Sequence, residues 1–199
     1  EFPNSSLGRK LEMVAKLIQT HEARETNRDV FYLQIGGFDT HSNVDDKLVE
    51  RFSEINSALE AFVIELKDKK LWNSVSLIQT SDFARTLNPN GGDGTDHAWG
   101  GHYFMAGGAV KGGQILGDYP DDFSLETGSQ ALNRGRMIPT TSWDQIWNGV
   151  AQWMGVDETD LDSVCPNRDK FPAESLFSES DLFDTNGRKL SSPRRRNLR

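Results

Sequence analysis

Four histidines occur in the 199-residue chain, and three of them fall in two short segments that also carry acids: Asp39-Thr40-His41 and Gly94-Thr95-Asp96-His97-Ala98-Trp99-Gly100-Gly101-His102. Imidazole mixed with carboxylate suits zinc, manganese or iron better than calcium, and a hydrolase uses such an ion to polarise an oxygen or to acidify a water. A further acid, Asp82, closes the apolar run that ends Thr80-Ser81-Asp82-Phe83. Asp39, His41, Asp82 and His97 are therefore the candidate metal ligands. Asp96 and His102 fit equally well as direct ligands or as hydrogen-bond partners that orient one. Arg85, three residues beyond Asp82, is the candidate catalytic residue, because its planar fork matches a phosphate or sulfate oxygen pair; a surface ion pair is the plain alternative. Lys111, set between glycine pairs, is a weaker candidate for the same anion. The competing reading of the acids is that Asp39 and Asp82 cap the helices that follow them, with the histidines as ordinary polar residues. His21, near the end of an expected helix, is assigned to the helix dipole and left out of the site.

Elements that would bring these residues together can be read from the apolar spacing. Residues 30–35, Val-Phe-Tyr-Leu-Gln-Ile, are stopped by Gly36-Gly37 and predict a strand buried on both faces; residues 75–80 predict a second, ending at Ser81-Asp82. Between them Leu48, Phe52, Ile55, Leu59, Phe62 and Leu66 recur at steps of three and four, which predicts a long helix over residues 44–70. Strand, helix, strand reads as a right-handed crossover joining a parallel pair, so the expected fold class is α/β with a mostly parallel sheet. Ligands gather outside the carboxyl ends of such strands. One crossover would then deliver Asp39 and Asp82 to the same edge, where a divalent cation offsets the repulsion between two carboxylates.

Upstream, Leu7, Leu11, Val14 and Ile18 behind Asn4, Ser5 and Ser6 predict a capped helix over residues 6–24. Residues 86–102 form a glycine-rich loop too long for a plain connection, and long ordered loops are usually functional. Residues 103–106 and 114–116 predict two short extended segments that could form a hairpin. A last helix begins at Thr141 or Ser142, buries Trp143, Ile146, Trp147, Val150 and Trp153, and ends at Gly155.

Composition sets the outer limits. Hydrophobic residues make up 36% of the chain, enough for one buried core. No run of about 20 apolar residues exists, so no membrane span is expected, and residues 1–4 show no signal-peptide pattern. A single cysteine, Cys165, excludes an internal disulfide and a cysteine-built zinc site while leaving the compartment open. The last twelve residues hold six basic groups and no acid, so residues 1–187 carry 16 basic against 30 acidic groups, a net of −14. That body would repel a phosphate backbone, and nucleic acid is not an expected partner of the folded part. The division expected is a folded domain over 1–156, an irregular acidic extension over 157–187 and a disordered basic tail over 188–199.

Four segments in order, Gly36-Gly-Phe-Asp-Thr-His41, Ser81-Asp-Phe-Ala-Arg-Thr86, Gly94-Thr-Asp-His97 and Gly107-Gly-Ala-Val-Lys-Gly-Gly113, resemble an uncharacterised branch, a domain of unknown function, of the alkaline phosphatase and sulfatase superfamily. Members of that branch are often exported with a twin-arginine signal. The resemblance runs from about Phe2 to Gly155. It implies an α/β/α sandwich, paired divalent metals, hydrolysis of phosphate or sulfate esters, and an extracytoplasmic or secreted location. By the same likeness Asp39, His41 and His97 would match one metal site and Asp82 the other. Two departures stand out: one residue rather than three separates Asp39 from His41, and Phe83 takes the place where a histidine usually follows the second aspartate. The superfamily's nucleophile precedes the matching segment, so the resemblance implies that this chain is the carboxy-terminal part of a domain, incomplete at its amino end and part of a larger assembly.

The expected function is thus a metal-dependent ester hydrolase acting on a small anionic ester or a sulfated or phosphorylated glycan, with zinc or manganese preferred over calcium or magnesium. Two other readings remain: a catalytically degenerate module of the same type with a binding or structural role, and a site that holds metal for stability alone.

Overall fold

The computed structural model describes residues 1–184; the expected basic tail over 188–199 lies outside the described residues. Helix α1 spans Ser6–Gln19. The Ser5 hydroxyl caps it by accepting from the Gly8 amide, and Leu7, Leu11, Val14 and Ala15 form its buried stripe. It stops five residues short of the expected end because the apolar stripe runs out at Ile18 and Thr20 turns its hydroxyl back onto the carbonyls of Lys16 and Leu17. Helix α2, Val44–Asp68, follows the spacing read from the sequence and carries Asp45 and Asp46 in its first turn, where the helix dipole favours negative charge. Ala58, Phe62 and Leu66 pack against α1 and close the main core.

Strands are short, and all of them pair antiparallel. β1 (Ser76–Ile78) pairs with β4 (Met105–Gly107), β2 (Ala84–Arg85) with β3 (His97–Ala98), and β5 (Ala131–Leu132) with β6 (Arg136–Met137). Among the described residues there is no parallel pair and no extended sheet, so the mostly parallel α/β sheet and the alkaline-phosphatase-like sandwich are both overturned. The reason is physical. Alternation specifies an extended backbone and an inward face, but not which strand supplies the hydrogen bonds. β1 takes its partner from β4, whose Gly107 lies so close that a Cβ there would meet the Val75 carbonyl oxygen at 2.4 Å. Residues 30–35 form no strand and pair with no other segment among the described residues. Phe31, Leu33 and Ile35 face the α1–α2 core, while Val30 and Tyr32 are 84% and 81% exposed, so only one face is buried and not both. The expected hairpin of 103–106 with 114–116 is also absent; β4 pairs with β1 instead, and Leu116 packs beside Trp153 and Phe183.

Helix α3, Trp143–Trp153, opens on a reciprocal capping box in which Ser142 and Gln145 each satisfy the other's backbone N–H. Its most buried residues are Gln145, Asn148, Gly149, Ala151 and Trp153, whereas Trp143 and Trp147 stack on each other half-buried, 5.4 Å between ring centroids. Residues 157–184 fold back on α3 through short turns and two four-residue helices, α4 (Leu161–Val164) and α5 (Glu179–Leu182). They bury Leu161, Cys165, Leu182 and Phe183 in two smaller clusters.

Candidate metal centre

The β2–β3 hairpin and the segment that follows residues 30–35 build one site. Arg85 and His97 are directly opposed in the hairpin, so their side chains leave the same face, and both reach Asp39. Asp39 and His41 flank a tight turn in which the His41 amide donates to the Asp39 carbonyl at 3.2 Å; Thr40 between them is 1% exposed, and its carbonyl accepts from the Thr95 amide at 2.9 Å. The glycine-rich loop presses on this backbone from the other side: a Cβ at Gly94 would lie 2.2 Å from the His41 carbonyl carbon, which only glycine avoids. Asn90 ties the loop shut. Its amide group donates to the His41 carbonyl at 3.0 Å and to Asp96 at 3.2 Å, while its oxygen accepts from the amides of Gly92 and Gly94.

Three donor atoms converge as a result. Asp39 Oδ1 lies 2.9 Å from His41 Nε2 and 2.9 Å from His97 Nε2, and the two imidazole nitrogens are 3.1 Å apart. A tetrahedral ion with bonds near 2.0–2.1 Å holds its donors roughly 3.3 Å apart, so the triangle is within a few tenths of an ångström of one face of such a shell. The His41 ring is oriented from behind: its Nδ1–H donates to Asp96 Oδ1 at 3.0 Å. That bond fixes the tautomer and turns the Nε2 lone pair toward Asp39 and His97, the carboxylate–histidine arrangement found behind metal ligands. A proton on His97 would satisfy one of the three contacts, whereas a cation satisfies all three.

Electrostatics around the cluster favour ionised acids. Hydrogen bonds from Asn90 and His41, with the Arg134 guanidinium adding to them, hold the Asp96 carboxyl down at about 2. Asp39 is held below the ordinary carboxylate range chiefly by the hydrogen bond from His97; burial opposes this, and the hydrogen bond from Arg85 and the charge of the imidazoles add to the lowering. Phe83 lies flat on the His97 ring, 4.3 Å between centroids and 17° between planes, and fixes the face that His97 presents.

Asp39, His41 and His97 are thus brought together, and Asp96 stands behind His41 as its orienting acid. Asp82 is not part of the triangle; it is exposed and makes no hydrogen bond or ion pair among the described residues, although its neighbour Phe83 covers His97. His102 lies elsewhere, beside the Tyr119 ring at 6.0 Å. Arg85 spends its fork on protein groups, donating to Asp39 Oδ1 at 2.8 Å, to Thr95 Oγ1 at 2.9 Å and to the Thr95 carbonyl. Lys111 is tied to the Ser180 carbonyl, away from the cluster. His21 bonds the Ile18 carbonyl at 2.9 Å, in keeping with a helix-end role. Reasoning from sequence missed Asn90, Arg134, whose guanidinium pairs with Asp96, and Arg136, which donates to the His97 carbonyl at 3.3 Å. The one signal for the arginines was the Arg134-Gly135-Arg136 pair in a loop, where Arg134 sits at φ 67°.

Fold and site together define a helix-rich protein with short antiparallel strand pairs and an exposed Asp/His/His cluster where the glycine-rich loop joins a hairpin. The chain belongs to the DUF1501 family, proteins of unknown function, whose sequence profile matches residues 4–148. No curated protein and no solved structure matches it. Among the described residues no helix is long and apolar enough to cross a membrane, as composition had led us to expect.

Proposed function

We propose that this protein is a metal-dependent hydrolase of phosphate or sulfate esters in which Asp39, His41 and His97 hold a divalent transition-metal ion, with zinc or manganese preferred. The observation that carries the reading is the donor triangle, with His41 turned into it by Asp96. The donors fit such an ion by type, since two imidazoles and one carboxylate suit zinc or manganese. Bound there, the ion would polarise an ester oxygen or lower the pKa of a water. The chain's own residues do the rest. Asp96 orients His41, and Arg85 and Thr95 hold Asp39 in place. Arg134 and Arg136 add positive charge at the rim, which favours a small anionic ester or a sulfated or phosphorylated glycan over a neutral one.

The likeness of the motifs to the alkaline phosphatase and sulfatase superfamily supports the choice of ester class and an extracytoplasmic or secreted location; the short antiparallel strand pairs lend that kinship no support. Arg85, the arginine first singled out for the anion, is better cast as a positioning residue, because its donors are already engaged. A second reading, a degenerate module that binds an anionic ligand without turnover, rests on Phe83, which presents an aromatic face to His97 beside an uninvolved Asp82. Elemental analysis after dialysis against zinc and manganese, followed by assay of aryl phosphates and aryl sulfates, tests the proposal. Stoichiometric metal with multiple turnover that is lost in Asp39→Ala supports it. Binding of an anionic ester without turnover favours the second reading, and no retained metal sinks the first.

A further inference from the structure

Asparagine followed directly by glycine occurs at Asn90-Gly91, Asn148-Gly149 and Asn186-Gly187, the last of these outside the described residues. In such a pair the main-chain nitrogen of the glycine can attack the side-chain amide carbon of the asparagine, because no Cβ hinders its approach. The two described pairs sit in opposite environments. Gly149 lies inside α3 with its amide in the helix ladder, and Asn148 is buried, bonded to the Phe177 carbonyl and to Arg168. Gly91 is at an exposed turn of the glycine-rich loop, with open space where a Cβ would stand, and among the described residues its amide has no hydrogen-bond partner. The Asn90 side-chain oxygen, on which negative charge develops during such an attack, accepts from the Gly92 amide at 2.8 Å and the Gly94 amide at 3.1 Å.

We propose that Asn90-Gly91 is a self-modification site: the folded chain deamidates there, and the product opens the glycine-rich loop that shapes the Asp39/His41/His97 cluster. The chemistry needs only water. A bond forms between the Gly91 nitrogen and Asn90 Cγ, the Cγ–Nδ2 bond breaks, and Nδ2 leaves as ammonia with the proton that the Gly91 nitrogen gives up. Water then adds to either carbonyl of the cyclic imide, which gives aspartate or isoaspartate at position 90. The consequence follows from what surrounds Nδ2. It donates to the His41 carbonyl at 3.0 Å, to the Thr95 carbonyl at 3.3 Å and to Asp96 Oδ1 at 3.2 Å. An aspartate puts an acceptor oxygen where that donor stood, against three oxygens of which one belongs to a carboxylate, so the contacts that tied the loop shut become repulsive. Isoaspartate removes the same donor and lengthens the main chain by a methylene. In both products Asp96, which orients His41, loses a partner, and the modification reaches the cluster whether or not a metal is bound there.

Peptide mapping by mass spectrometry, after incubation of the folded chain at mildly alkaline pH, tests the proposal, with the chain unfolded in urea as the reference. Conversion at Asn90 is expected to be fastest in urea and roughly tenfold slower in the folded chain, because Nδ2 has to give up its three partners. Asn148 in the folded chain should lag Asn90 by roughly a hundredfold or more, since α3 has to open first. Gly91→Ala, which the open turn accommodates, should suppress conversion at Asn90. In Asn90→Asp the amides of Gly92, Gly94 and Thr95 should exchange with solvent roughly tenfold faster than in the parent. Asn90 left intact in the folded chain once the urea-unfolded chain has converted would overturn the proposal, as would Asn148 converting as fast as Asn90, or Gly91→Ala converting as fast as the parent. Loop amides in Asn90→Asp that exchange no faster than in the parent would overturn it too, because the product would then leave the loop closed.

Discussion

Replacing Asp96 separates a metal centre from a chance cluster of polar side chains. Its carboxylate does not belong to the donor triangle; it accepts from His41 Nδ1 at 3.0 Å and from Asn90 at 3.2 Å, and pairs with Arg134. If His41 is a ligand, removing the acid that fixes its tautomer lowers metal affinity by roughly 10- to 100-fold, the usual cost of losing such a partner. Asp96→Asn keeps an oxygen that accepts from Nδ1 but removes the charge that makes the imidazole a stronger donor, so it belongs near the low end of that range. Asp96→Ala removes both and belongs near the high end. Arg134→Ala touches His41 only through Asp96 and costs less than either. Zinc affinity is measured by competition with a chromophoric chelator at fixed pH, with circular dichroism confirming that each variant is folded. Zinc binding as tight in Asp96→Ala as in the parent would refute the reasoning, because His41 would then need no orientation to do what is asked of it.

Other expectations follow from the same contacts. Leu66 is fully buried between α1 and α2, so Leu66→Ala should cost about 2–5 kcal/mol in urea unfolding; a loss under about 1 kcal/mol would mean that this core is misplaced. Gly94→Ala puts a methyl group into the His41 backbone and should weaken zinc binding together with thermal stability, whereas Gly91→Ala, with open space around it, should leave binding unchanged. Hydrogen bonds from the Ser178 hydroxyl and amide hold the Asp181 carboxyl below its ordinary value. A depressed carboxyl stabilises the fold above its unfolded pKa, and that contribution is lost as the pH falls through and below that value. The near-UV signal of Trp153, which stacks on Phe183 at the end of α5, should therefore weaken at acid pH in the parent, and the acid dependence should be smaller in Asp181→Asn.

The three long helices and most of the site were legible in the sequence, for different reasons. α1, α2 and α3 announce themselves because a helix is specified by its own periodicity and caps: Leu7, Leu11 and Val14 behind Ser5, or Ser142 with Gln145, need no distant information. Asp39, His41 and His97 stood out by residue type and by the loops they occupy. The sheet was not legible, because residues 30–35 and 75–80 declare an extended backbone without declaring a neighbour, and β1 turned out to pair with β4 rather than with residues 30–35. Asp82 was drawn into the site by the parallel pairing assumed for those two runs, and fell out of it when that pairing failed. Asn90, Arg134 and Arg136 were invisible for a related reason: Asn90 acts from an irregular loop and the two arginines from the tight β5–β6 connection and its edge, whose placement no local pattern specifies.

Zinc K-edge absorption on the chain equilibrated with zinc addresses the proposed metal centre most directly. The expected first shell is nitrogen and oxygen at about 2.0–2.1 Å with no sulfur, showing the outer-shell scattering of two imidazoles, reduced to one in either His41→Ala or His97→Ala. Zinc bound with no imidazole signal, or with a signal that neither substitution alters, would contradict it.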